Sequence, residues 1–261
     1  MFLRLRLILI LLLSTHVHGQ SMGTKTVSES TSIQGVANTI IFTLRPSTAL
    51  STNDVITIAG LSGTLTSNAA ALTVGGANAN LFDSAGAWTQ GTGTLVLTAS
   101  GAIPDNADTV ISISLTNKGS SQSALTPTIA VSGSVTIGSS SMSTSVLGAS
   151  TAQQYTVKTI AEVSTVRDAD NVLTVTIRPN VALSAGDVVT IAGLTGTQTS
   201  NTGTLTVAGT DAAVFGSAGA WTQSSGQMVL TVASGQTVPN NANTVVTLTI
   251  ANKNVAQVSV F

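Results

Sequence analysis

Apolar and polar residues alternate with a period of two in short runs along this chain. The cleanest are TVISISL at 109–115 and TVVTLTI at 244–250. NTIIFTL at 38–44 and NVLTVTI at 171–177 are β-branched runs that end at Arg-Pro. Shorter runs follow at 54–58, 187–191, 95–98 and 228–232. A period of two sends successive side chains to opposite faces of a strand, one toward a core and one toward solvent. Gly, Asn, Ser and Pro cluster between the runs, where turns need them. No segment sustains a spacing of 3.6 over ten residues, so the pattern predicts an all-β protein. Single helical turns are predicted near 78–82 and 211–215. The run 127–137 sets Ile129, Val131, Gly133, Val135 and Ile137 on one face and predicts one long closing strand.

The pattern occurs twice. TIAGL stands at 57–61 and at 190–194, and SAGAWTQ at 84–90 and at 217–223, an offset of 133 residues. Arg45-Pro46 matches Arg178-Pro179, and Phe82 matches Phe215. About half of positions 24–98 are identical to 157–231 without a gap. The register then slips, so that Asn117-Lys118 matches Asn252-Lys253. Two copies of about 100 residues imply two complete domains rather than a solenoid of short units. About seven short strands per copy predict two tandem immunoglobulin-like β-sandwich domains. Trp88 and Trp221 are expected to fill the cores with Phe82 and Phe215; the alternative is an exposed sugar-stacking platform. After Lys253 the second copy has only VAQVSVF, 255–261, so its last strand is shorter and a sheet edge is expected to be incompletely covered.

The opening segment 1–19 is of another kind. Arg4 and Arg6 precede the apolar run 7–13, which is too short to span a bilayer, and small residues follow. It reads as a secretory signal peptide. The expected organisation is a signal peptide at 1–19, a first module at 20–137, a Ser/Gly-rich flexible linker at 138–154 and a second module at 155–261. Both histidines, His16 and His18, lie in the signal, and the chain has no cysteine. Charged residues are 7% of the chain, and 74 residues are Ser or Thr. Beyond the signal, seven cations face ten anions with no basic cluster, which excludes nucleic-acid binding. No further run is long enough for a membrane span in the mature chain.

Candidate chemistry is sparse. Nucleophilic triads need a base that the mature chain lacks, and no cofactor is expected. Arg45 with Asp54, and Arg178 with Asp187, are nine apart across a predicted hairpin and are expected to form structural ion pairs. Asp168, Asp170 and Asn171 alternate oxygen atoms as a calcium loop does, or form a polar turn. Lys25, Glu29 and Asn117, with their counterparts Lys158, Glu162 and Asn252, are the residue types of a Lys–Asn isopeptide bond, or an exposed polar strand face. No Asn-x-Ser/Thr sequon occurs. Ser139, Ser140, Ser141, Ser143, Thr144 and Ser145 in the linker are candidate O-glycosylation sites.

The residues TIAGL, TQTSN (197–201), FGSAGAWTQ (215–223) and GQMVLTVASGQTVPNNA (226–242) resemble a module repeated in large secreted surface proteins of unicellular algae. That resemblance implies an extracellular-matrix or cell-surface setting. The two-domain plan is similar to that of fibre subunits in which a strand of one subunit completes a sheet of the next. The expected function is a secreted structural subunit. It would self-assemble with identical subunits into an extracellular filament, by donation of residues 20–33 or 127–145. Scarce charge supports this, because edge strands then carry few of the gatekeepers that block pairing. The alternative is a cell-surface adhesive or carbohydrate-binding module with glycan partners.

Overall fold

A computed structural model describes residues 19–256, so the segment 1–18, most of the expected signal peptide, and 257–261 lie outside the described residues. The chain is all-β, and it divides into two compact units, 1–151 and 152–261. In the first unit the strands are β1 (Met22–Glu29), β2 (Ala37–Pro46), β3 (Val55–Ala59), β4 (Ala69–Thr73), β5 (Ala85–Thr89), β6 (Thr94–Thr98), β7 (Thr109–Thr116), β8 (Thr128–Ser132) and β9 (Ile137–Ser141). They form one sheet in the order β1-β2-β7 and a second in the order β4-β5-β6-β3-β8-β9. All the strand pairs are antiparallel. Ile40, Phe42 and Leu44 of β2 alternate inward and meet Ile56 and Ile58 of β3 and Leu95 and Leu97 of β6 in one core. Two sheets sharing one core is the layering of a β-sandwich.

The second unit repeats the plan with β10 (Tyr155–Glu162), β11 (Asp170–Pro179), β12 (Leu183–Ser184), β13 (Val188–Ile191), β14 (Thr202–Ala208), β15 (Ala218–Thr222), β16 (Gln227–Thr231), β17 (Thr237–Val238) and β18 (Thr244–Ala251). β14 pairs with both β15 and β18, which joins the strands in the order β10-β11-β18-β14-β15-β16-β13. The first unit makes the same crossing with a single bridge, Gly75 to Ser112. The two predicted helical turns are 3-10 turns, Ala79–Phe82 and Ala212–Phe215.

The repeated AGAWT segment is local packing. Trp88 and Trp221 are buried, and each indole N–H donates to a loop carbonyl, of Thr66 and Thr199 respectively. The next Gln ties the same loop down through Thr64 and Thr197 carbonyls. The glycine two residues before each Trp has no room for a side chain. A Cβ on Gly86 would stand 2.8 Å from Leu97 Cδ2, and one on Gly219 2.5 Å from Met228 Cε. Neither indole presents a face to solvent for stacking on a sugar.

Two expectations are corrected here. Residues 127–137 are not one strand. β8 ends at Ser132, the chain turns at Gly133, and β9 returns against β8. Gly133 has φ of 132° and lies so close to Asp54 that a Cβ would be 2.2 Å from Oδ1. Nor is 138–154 a flexible linker. β9 occupies 137–141, and Met142, Val146, Leu147 and Ala149 are buried in the first unit. Thr151 bridges to Ile33 in parallel, and its carbonyl accepts from Gln34 N–H.

Candidate functional site

The difference between the two units defines the site. Among the described residues, sixteen apolar residues of the second unit form its buried cluster, and each has a buried counterpart in the first. The first unit's cluster holds 27, so eleven have no buried counterpart in the second. Seven of the eleven come from one segment, Ile129, Val131, Val135, Ile137, Met142, Val146 and Leu147. The other four are Met22, Val27, Leu50 and Ile58. Their counterparts Tyr155, Ile160, Leu183 and Ile191 are only partly buried. The segment 128–147 is thus a cover, and these four positions measure what is uncovered where no counterpart of it lies among the described residues of the second unit.

The cover works at two sheet edges. β8 pairs with β3 over the full length of β3, so β3 is flanked on both sides. Among the described residues its counterpart β13 pairs with β16 alone and ends its sheet. The contrast in burial follows. Ile58 is fully buried, whereas Ile191 is partly open and Val188 is 53% exposed. At the second edge, residues 143–147 run along β1. Ser143 N–H donates to the Lys25 carbonyl, Thr144 Oγ1 accepts from Val27 N–H, and the Thr144 hydroxyl donates to the Val27 carbonyl. No such segment lies along β10 among the described residues, and Val163 and Val166 just beyond it are 76% and 64% exposed.

Polar groups fix the register of the cover. Asp54 is almost wholly buried. It accepts from Ser51 N–H at 2.8 Å, from Ser134 N–H at 2.5 Å and from Ser134 Oγ at 2.8 Å. Glu29 Oε2 accepts from Leu147 N–H at 2.7 Å, and Lys25 Nζ donates to Ser140 Oγ at 2.7 Å. Two of these anchors are carboxylates, which meet the cover at Ser134 and Leu147, and the third is a cation, which meets it between them at Ser140.

The Ser51 N–H, with the Ser134 hydroxyl and N–H behind it, holds the Asp54 carboxyl below the usual carboxylate range against the opposing effect of burial. Its folded value lies below the unfolded value of about 3.9. The stabilisation is therefore complete above that pH and is lost as pH falls through the folded value. Amide protection factors across 131–137 are expected to fall on acidification below about pH 4, and Asp54→Asn to abolish that pH dependence. Equal acid sensitivity in the variant would contradict the assignment.

The expected ion pairs do not form. Arg45 Nε bonds Asp108 Oδ1 at 2.8 Å on the surface, and Arg178 Nε bonds Asn243 Oδ1 at 2.8 Å. The guanidinium of Arg45 is held charged by that Asp108 hydrogen bond. Asp54 and Asp187 instead close the turn before their own strands, by accepting from Ser51 and Ser184 three residues back. The predicted hairpins do not form either: β2 pairs with β1 and β7 and β3 with β6 and β8, while β11 pairs with β10 and β18 and β13 with β16, so in neither unit do the arginine strand and the aspartate strand face each other. Lys25 and Asn117 are not brought together for an isopeptide bond. Asn117 Nδ2 donates to the carbonyls of Thr31 and Ile33, while Lys25 reaches Ser140. Asn171 turns its side chain to Glu162, Asn252 and the N–H groups of Val163 and Ser164. Asp168 lies in a turn and Asp170 and Asn171 open β11, and no metal-ligating cluster occurs among the described residues.

What the sequence reading missed is a polar triad centred on a buried asparagine in each unit, Asn38 and Asn171. Asn38 Nδ2 bridges Glu29 and Asn117, and Asn171 Nδ2 bridges Glu162 and Asn252 in the second unit. The signal was present, because all three residues recur at equivalent positions of the two copies. Among the O-glycosylation candidates, Ser140 and Thr144 are engaged with β1, Ser143 with the Lys25 carbonyl, and Ser145 with Thr126. Ser139 and Ser141 are exposed on β9. Phe82, Trp88, Phe215 and Trp221 are all buried in their cores.

No protein-family model and no curated protein sequence matches the chain. No described helix is long and apolar enough to cross a membrane.

Proposed function

We propose that this chain is a secreted, extracellular structural subunit, built of two immunoglobulin-like sandwiches, that assembles with copies of itself into filaments by strand addition onto the second module. The observation that carries the reading is the eleven-residue difference between the cores. The first module covers its two sheet edges with 128–147, and among the described residues nothing covers the same edges of the second, where apolar side chains are partly exposed. An unpaired edge next to a groove of partly buried apolar residues is the geometry to which an extended segment adds by main-chain hydrogen bonds. Contacts of donor and acceptor type do not use the same surface twice, so they propagate into an open polymer unless a rotation closes them. The surface chemistry agrees. With 7% charged residues, few side chains oppose edge-to-edge pairing. The mature chain carries no histidine or cysteine, and Asp54, Asp187, Glu29 and Glu162 are engaged in turns and polar triads, which supports a non-enzymatic role.

Both segments first considered as donors are placed within their own module, 20–33 through β1 on β2 and 127–145 through β8 and β9. Donation therefore requires exchange of such a segment between copies. The test is direct imaging. The purified chain beginning at Gln20 is expected to form filaments visible by negative-stain microscopy, with a sedimentation profile that shifts with concentration. A chain that stays monomeric at hundreds of micromolar overturns the reading.

A further inference from the structure

The open face of the second module keeps the anchors that hold the cover on the first. Asp187 stands where Asp54 stands, and Glu162 where Glu29 stands. Each retains its internal partner. Asp187 Oδ2 accepts from Ser184 N–H at 2.7 Å, as Asp54 does from Ser51, and Glu162 Oε2 accepts from Asn171 at 2.9 Å, as Glu29 does from Asn38. The external partners, Ser134 and Leu147 in the first module, have no counterpart among the described residues. Accordingly Asp54 is 1% exposed, while Asp187 is exposed and Glu162 with it.

We infer that Asp187 and Glu162 are recognition carboxylates, which set the register of an incoming peptide segment of the type found at 128–147. The segment required has defined chemistry. It needs an alternating apolar strand to lie along β13, as Ile129 and Val131 lie along β3. It needs a Gly-Ser corner whose serine N–H and hydroxyl reach Asp187. The glycine is demanded by contact, since any Cβ at the Gly133 position strikes the carboxylate. Further on, it needs a main-chain N–H that meets Glu162, preceded by a hydroxyl side chain for the edge of β10. An extended strand that slips by one residue puts its apolar side chains on the wrong face. The two carboxylates, at separate sheet edges, accept only one register.

This assignment rests on the strand-addition reading for its biological use, but its chemistry is tested separately. A synthetic peptide of residues 125–151 is titrated into the chain beginning at Gln20, with binding followed by fluorescence anisotropy. Saturable binding is expected, with no binding of a scrambled peptide. Asp187→Asn and Glu162→Gln are each expected to weaken it at least tenfold, since hydrogen bonds to charged groups are the stronger kind. The peptide carrying Gly133→Ala should lose as much, and it leaves the protein untouched, so a folding defect is not an explanation. Failure of the wild-type peptide to bind, or equal binding by all these variants, overturns the inference. The source of the segment is read from a second arm. Filament growth blocked by excess peptide places the donor on a neighbouring copy. Growth unaffected by a peptide that binds with the expected variant pattern retains the recognition code and overturns assembly through this face.

Discussion

Replacing residues 254–261 with a second copy of residues 119–151 is expected to yield a monomeric chain whose second module melts about 10 °C higher. The junction is set by the duplication. Asn252-Lys253 occupy the place of Asn117-Lys118, and Asn252 already donates to the carbonyls of Ser164 and Val166 as Asn117 does to Thr31 and Ile33. The graft therefore leaves from the same point on the same strand. It brings the seven apolar residues that the second core lacks and buries the four that are partly open, Tyr155, Ile160, Leu183 and Ile191. Burial and the ordering of the graft are large opposing terms, and the net is a small remainder. A remainder of about 2 kcal/mol corresponds to about 10 °C for a unit of this size, at roughly 4–8 °C per kcal/mol. Calorimetry and sedimentation report the two halves of the expectation. A grafted chain that polymerises like its parent would show that the open face is not the assembly surface.

The second large effect separates two equivalent substitutions. Trp88→Ala and Trp221→Ala remove the same buried indole and the same hydrogen bond to a loop carbonyl. Each is expected to cost about 3–5 kcal/mol. The consequences differ because the modules start from different cores. Trp88 sits in a cluster of 27 buried apolar residues closed by β8 and β9, and Trp221 in one of sixteen. Small domains have about 5–15 kcal/mol to lose, and the smaller core sits toward the low end. Trp221→Ala should leave the second module unprotected from hydrogen exchange at 37 °C, while Trp88→Ala only lowers the melting temperature of the first. Adding the 119–151 graft to Trp221→Ala should restore protection. Equal loss in both modules would mean that closure contributes little to stability.

The fold was largely legible in the sequence because its signals are local. Period-two runs, turn clusters and the 133-residue offset need no knowledge of distant partners. The 3-10 turns at Ala79–Phe82 and Ala212–Phe215 and the buried tryptophans fall in the same class. The site was legible only in outline. The difference between the copies after Lys118 and Lys253 was visible, but what 128–147 covers was not, since β8 pairs with a strand some seventy positions earlier. The Ser/Gly composition of 138–151 resembles a linker. Met142, Val146 and Leu147 were the contrary signal, and at irregular spacing they match neither helical nor strand periodicity. Gly133 sits where an alternating pattern continues on either side, so periodicity alone carried the strand through it. Asp54 and Asp187 were paired with arginines by charge, when the nearest serine N–H groups, three residues back, satisfied them first.

The cover of the first module reaches back across most of that module. Thr144 and Leu147 bond to β1, more than a hundred residues earlier in the chain. During synthesis, β1 through β7 are complete before those residues emerge, and contacts so distant in sequence form late. The first module thus passes through a period with both edges open, in the condition in which the second is found. Under the strand-addition reading, a segment supplied by another chain arrives on a timetable set outside the module, and the interval before it arrives is when the chain is most exposed to mispairing.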